Sequence, residues 1–132
     1  MILLDTHVLL WSRAGVRRTG PRCMRLVEQG LRDATLAASA ISFWEVAMLC
    51  GKGRIDLSQD IRAWRMRLIS DGLIEIPVDG DIAIRANELT GLHTDPADRL
   101  IVATALGGHT LVTADERILS WRGRLSRMDA RE

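Results

Sequence analysis

Asp95–Asp115, DPADRLIVATALGGHTLVTAD, decides the fold class. Asp95 and Pro96 form a helix start, an acid to cap free backbone N–H groups and a proline in the first turn, where its missing N–H is no loss. From Asp98 to Leu106 the sequence is apolar nearly all round, which predicts a buried helix. Gly107-Gly108 stops it, Thr110–Thr113 reads as a short buried strand, and Asp115 follows at once. The same grammar recurs along the chain. Met1–Leu4 is a strand ending at Asp5, with Thr35–Ala38, Leu73–Val78 and Leu125–Met128 as further strands. Thr6 is placed to cap a short helix of Val8, Leu9, Leu10 and Trp11. Pro21 opens a helix to Leu31, Ile41–Leu49 runs to a stop at Gly51 and Gly53, and Ser58 is read as the cap for Ile61, Trp64, Leu68 and Ile69. Asp79–Leu89 and Asp115–Trp121 complete the helices. Short apolar strands alternating with helices imply an α/β fold, a mainly parallel sheet of four to five strands with helices on both faces. In such sheets the working site lies at the carboxyl ends of the strands.

The chain has 132 residues, room for one domain over 1–132 with one core. With 47% hydrophobic and 27% charged residues it reads as globular, and no apolar run reaches the roughly 18–20 residues of a membrane span. MILLDTHVLLW lacks a basic leader and contains Asp5 and His7, which argues against a secretory signal. Cys23 and Cys50 form no metal-type or redox pair, so the expected compartment is a reducing cytoplasm. Every basic residue except Lys52 is arginine, the side chain suited to bidentate phosphate contact. The arginines gather at 17, 18, 22 and 25, at 62, 65 and 67, and at 122, 124, 127 and 131. An ordinary solvated surface accounts for any one of these clusters, so charge alone identifies no nucleic-acid partner.

Four acids sit where acids are costly. Asp5 and Asp115 follow strand ends. Glu45 lies in ISFWEVAML with Ile41, Met48 and Leu49 on its own helical face, and Asp98 opens the buried helix. Capping accounts for three of them taken singly: Ser42–Glu45 has capping-box spacing, Asp98 follows a helix start, and Asp115 stands in a first turn beside the Thr113–Glu116 spacing. Asp5 is harder to explain that way, because an unpaired carboxylate beside a core strand is expensive. Jointly, two strand ends and two first turns can face one crevice, where converging carboxylates raise one another's pKa and call for a positive partner. No lysine lies nearby, and Arg99 leaves its helix about 100° from Asp98. Clustered carboxylates without thiols or a plausible histidine set suit a hard cation, Mg²⁺ or Mn²⁺.

MILLDTHVLLW, AASAISFWEVAMLCGKGRIDL and LHTDPADRLIVATAL…TLVTADERI resemble, in order, the motifs of PIN-domain nucleases, and the VapC-like toxins most. The resemblance spans nearly the whole chain. It implies the three-layer α/β/α PIN-like fold and hydrolysis of RNA with one or two divalent ions, Mg²⁺ or Mn²⁺. It also implies a homodimer restrained by a cognate antitoxin. Position by position, Asp5, Glu45, Asp98 and Asp115 match the family's acidic residues, as catalytic and metal-binding groups. Thr113 matches the hydroxyl residue supporting the last turn, and Asp95 is a cap or a support for Asp98. The helices at Pro21–Leu31 and after Ser58 are candidate antitoxin or dimer surfaces.

Other residues offer less. His7, two residues after Asp5, is within reach of the site but reads better as a helix-start polar residue, and His93 and His109 lie in loops without zinc-site spacing. Trp11, Trp44, Trp64 and Trp121 fit core or subunit interface better than base stacking. Gly51-Lys52-Gly53 ends a helix and lacks the phosphate-loop pattern. Two rival readings remain: a non-catalytic RNA- or protein-binding module on the same fold, and a phosphoacceptor receiver-like domain. The latter is disfavoured by an acid already at the first strand and no lysine near the last ones.

Overall fold

In the computed structural model, which describes residues 1–13 and 18–132, five strands and seven helices alternate along the chain. The strands are β1 (Ile2–Leu4), β2 (Leu36–Ser39), β3 (Ile74–Ile76), β4 (Thr110–Thr113) and β5 (Arg127–Asp129). The helices are α1 (Thr6–Arg13), α2 (Pro21–Asp33), α3 (Ala40–Gly51), α4 (Ile61–Ser70), α5 (Gly80–Glu88), α6 (Pro96–Ala105) and α7 (Glu116–Leu119). Arg17, part of the first arginine cluster, lies outside the described residues.

All strand pairs are parallel, in the order β3-β2-β1-β4-β5. Because side chains alternate across a strand, neighbouring residues feed opposite cores. Leu4, Ala38 and Val112 join Val8, Val27, Phe43, Val46 and Trp64 on one face. Leu3, Ala37 and Leu111 join Ile101, Val102, Ala105 and Ile118 on the other. The result is the expected three-layer arrangement. β1 lies in the middle, and the chain builds outward first through β2 and β3, then through β4 and β5. The reversal beside β1 opens a crevice at the carboxyl ends of β1 and β4.

Three helix starts differ from the sequence reading. Thr6 is the first residue of α1 and fully buried; Asp5 precedes it, its carbonyl taking the first helical bond from Leu9 N at 2.9 Å. Ser39, not Ser42, caps α3, accepting from Ile41 N at 3.2 Å. Asp60, not Ser58, caps α4 through Arg62 and Ala63 N–H groups. In each case a second polar residue near the boundary was closer to the point where the backbone leaves extended geometry, which is what selects a cap.

Some members of the arginine clusters are held in local ties. Arg65 forms a fork with Glu75 at 2.6 and 2.8 Å, Arg127 binds the Ile118 and Gly123 carbonyls, and Arg131 bridges Asp129 and Glu116. Among the tryptophans, Trp64 is core, while Trp44 is 58% exposed on α3.

Candidate active site

β1 delivers Asp5 to the crevice and then turns at once into α1. Asp5 as a residue is 6% exposed. Its Oδ1 accepts from Thr6 N at 2.8 Å, and its Oδ2 accepts from Thr113 Oγ1 at 2.7 Å. Thr113, buried at the end of β4, also accepts from Asp115 N at 3.1 Å, so one hydroxyl ties the two strand-end acids together. Burial pushes the Asp5 pKa up, and neighbouring Asp98 adds to this; the Thr113 and Thr6 hydrogen bonds offset only part of it.

Glu45 comes from the second turn of α3. Thr6 Oγ1 donates to its Oε1 at 2.6 Å and lies 2.9 Å from Ser42 Oγ, so Ser42 belongs to this buried hydroxyl pair and not to a capping box. Burial raises the Glu45 pKa against the Thr6 hydrogen bond, with the charges of Asp98, Asp5 and Asp95 acting in the same direction as burial. Asp95 caps α6 through the N–H groups of Ala97 and Asp98 at 3.0 and 3.3 Å, which fixes the turn that carries Asp98. The Asp98 pKa is likewise raised, by burial first, against a hydrogen bond from His93. At Asp115, partial burial is outweighed by the side-chain and backbone N–H groups of Arg117, and the pKa falls.

Asp5, Glu45, Asp95, Asp98 and Asp115 therefore line one cleft of about 290 Å³, together with His7, Trp11, Ala114 and Arg117. Thr113 lies beneath it. The residues assigned to the site from sequence thus lie at or beneath one cleft, but of the four acids only Asp98 and Asp115 fall, among the described residues, in a group with ligand atoms within 4.8 Å of one another.

Two more were missed. The positive partner sought in the sequence is Arg117, outside every arginine cluster; its Nη2 is 3.0 Å from Asp115 Oδ2 and 3.8 Å from Asp98 Oδ2. The other is His93, whose Nε2 is 2.6 Å from Asp98 Oδ2. Ligand atoms of His93, Asp98 and Asp115 lie within 4.8 Å of one another, a spacing able to hold a cation. The signal for Arg117 was its place two residues after Asp115. His93 carried none, since only the α5–α6 connection brings it back onto α6.

Residues 2–122 match the PIN domain. The chain belongs to the PIN-domain family. Ribonuclease VapC22 of Mycobacterium tuberculosis is 35% identical to it over 123 residues, 92% of each protein. A chain of the toxin-antitoxin complex from Klebsiella pneumoniae superimposes with a TM-score of 0.65 at 24% identity, over 98% of both chains. One from DNA-bound VapBC of Salmonella typhimurium gives 0.68 at 19% identity, over 97% of this chain and 96% of that one. At such identities the two structures speak for the PIN fold alone.

Proposed function

We propose that this PIN-domain chain is a metal-dependent endoribonuclease, the toxin of a toxin–antitoxin pair. The observation that carries it is the convergence of Asp5, Glu45, Asp98 and Asp115 on one cleft, three of them with pKa values raised by burial. A protein that gathers carboxylates against this cost needs a cation to hold them, and an all-oxygen acidic set suits Mg²⁺ or Mn²⁺. Asp5, Asp98 and Asp115 are the proposed ligands, with Glu45 as a further ligand or as the group that orients the attacking water. Bound there, the cation would acidify a water, orient a phosphate and stabilise charge on the leaving oxygen.

The protein's own groups do the rest. Thr6 occupies Glu45 Oε1, leaving Oε2 to accept a proton from water. Thr113 and Thr6 fix both oxygens of Asp5. Arg117, 60% exposed at the rim, is placed to turn from the carboxylates to a substrate phosphate. RNA as the substrate is supported by the 35% identity to a ribonuclease over 92% of the chain. An antitoxin partner follows from the resemblance to the VapC-like toxins, which the 35% identity to Ribonuclease VapC22 supports. Such a partner would inhibit by placing a basic side chain among the carboxylates, in the manner Arg117 already does in part. A homodimer rests on the resemblance to the VapC-like toxins, and free Cys23 and Cys50 suit a cytoplasmic setting.

The test is induction of the chain in a bacterium lacking its partner, followed by sequencing of cellular RNA 5′ ends. Discrete new ends with the native chain, absent with Asp98→Asn, are expected. Equal growth arrest by both proteins without new ends would favour the non-catalytic binding module.

A further inference from the structure

His93 and Asp98 face each other with side chains only 14% and 13% exposed, and Nε2 lies 2.6 Å from Oδ2. Two lone pairs cannot share that separation, so one proton lies between them. A neutral imidazole carries its proton on one nitrogen only. The other nitrogen, Nδ1, is buried and has no hydrogen-bond partner among the described residues. That is the wrong environment for a ligating histidine, which places its remaining N–H on a carboxylate or carbonyl to keep the lone pair aimed at the ion. Here an N–H at Nδ1 would meet no acceptor. Nε2–H, by contrast, makes a short charge-assisted bond to the carboxylate.

The segment carrying His93 is held from two sides. Arg99 donates to the carbonyls of Ala86 at 3.0 Å, Leu89 at 2.7 Å, Leu92 at 3.0 Å and His93 at 3.3 Å. Trp121 Nε1 donates to Thr90 O at 2.8 Å. Arg99 follows Asp98 on α6, so backbone, guanidinium, loop carbonyl and imidazole close a ring on the carboxylate. This is why an arginine next to Asp98 points away from it.

We propose that His93 is a positioning residue for Asp98, a hydrogen-bond donor that holds Oδ2 and leaves Oδ1 to the cation, and not itself a ligand. This rests on the reading of Asp98 as a cation ligand given above. Losing an outer partner of this kind typically costs roughly 10- to 100-fold in metal affinity. Gln, whose amide nitrogen reaches the place of Nε2, restores the donor without an imidazole.

Mn²⁺ binding to the antitoxin-free full chain is the test, measured calorimetrically for the native protein, His93→Ala, His93→Gln and Asp98→Ala. It is joined by electron spin-echo spectroscopy of the Mn²⁺-loaded protein labelled with ¹⁵N-histidine. The expected results are a roughly 10- to 100-fold loss in His93→Ala, recovery to within a few-fold in His93→Gln, and no directly bonded nitrogen from His93. Native-like affinity in His93→Ala with affinity lost in Asp98→Ala overturns the positioning role and leaves the cation site standing. A nitrogen coupling abolished in His93→Gln overturns it in favour of direct ligation. Native-like affinity in Asp98→Ala overturns the cation site and this role together.

Discussion

Asp5→Asn should make the metal-free protein more stable at neutral pH while removing its activity. Asp5 is 6% exposed, accepts two hydrogen bonds and has Asp98 for a neighbouring charge. Asparagine keeps the shape: its oxygen can still accept from Thr6 N, and its NH₂ can donate to the Thr113 hydroxyl, which rotates to receive it. What disappears is a buried charge that forms no ion pair among the described residues, worth about 1–2 kcal/mol, or roughly 3–10 °C in melting temperature for a chain of this size. The sign follows from linkage. A carboxyl whose pKa is raised on folding contributes its stability below the ordinary value of 3.8 and loses it as pH rises through the folded value. The native protein should therefore melt below Asp5→Asn at neutral pH, and the gap should close as pH falls toward 3.8. Melts in EDTA at intervals between about pH 8 and pH 4 measure this, and excess Mn²⁺ should reverse the order by stabilising the native protein alone. A variant less stable at neutral pH, or a gap that does not change with pH, would refute the reasoning.

Thr6→Val removes the hydroxyl between Glu45 and Ser42 and should cost about 1–3 kcal/mol by thermal melt. Since that bond holds the Glu45 pKa down, the acid limb of the cleavage–pH profile should also move to higher pH. Arg117→Ala frees Asp115 and Asp98 of their cation competitor. Mn²⁺ affinity should rise, while kcat/KM on RNA should fall by roughly tenfold, with a shallower salt dependence. Gly72 has φ +115°, and a Cβ there would lie 2.5 Å from Leu31 O. Gly72→Ala should lower stability by about 1–3 kcal/mol without changing the metal affinity of the folded protein.

The two central strands were legible because each is a short apolar run closed by an acid, ILL before Asp5 at β1 and TLVTAD at β4; the edge strands β3 (IEI) and β5 (RMD) carry charged residues and were legible only through their apolar neighbours. The acids could be singled out for the same reason: Asp5 and Asp115 mark strand ends, and Asp98 opens a helix that is otherwise core. Cap identity was less legible, since SQD before α4 offers two capping residues and backbone geometry picks Asp60. His93 was invisible because its role depends on the loop that Arg99 folds onto α6, a contact to carbonyls that no side-chain pattern encodes. Arg117 was hidden by its isolation: it belongs to none of the three arginine clusters, and only the fold sets its guanidinium between Asp115 and Asp98.

A carboxylate cleft that cuts RNA must do so with a divalent cation. The most direct test is incubation of total cellular RNA with the purified, partner-free protein in Mn²⁺ or Mg²⁺, in EDTA, and with Asp5→Ala and Asp98→Ala. Discrete fragments that need the metal and vanish in both variants are the predicted result. Intact RNA with folded, metal-loaded native protein, or identical fragments from the Asp98→Ala protein, would contradict it.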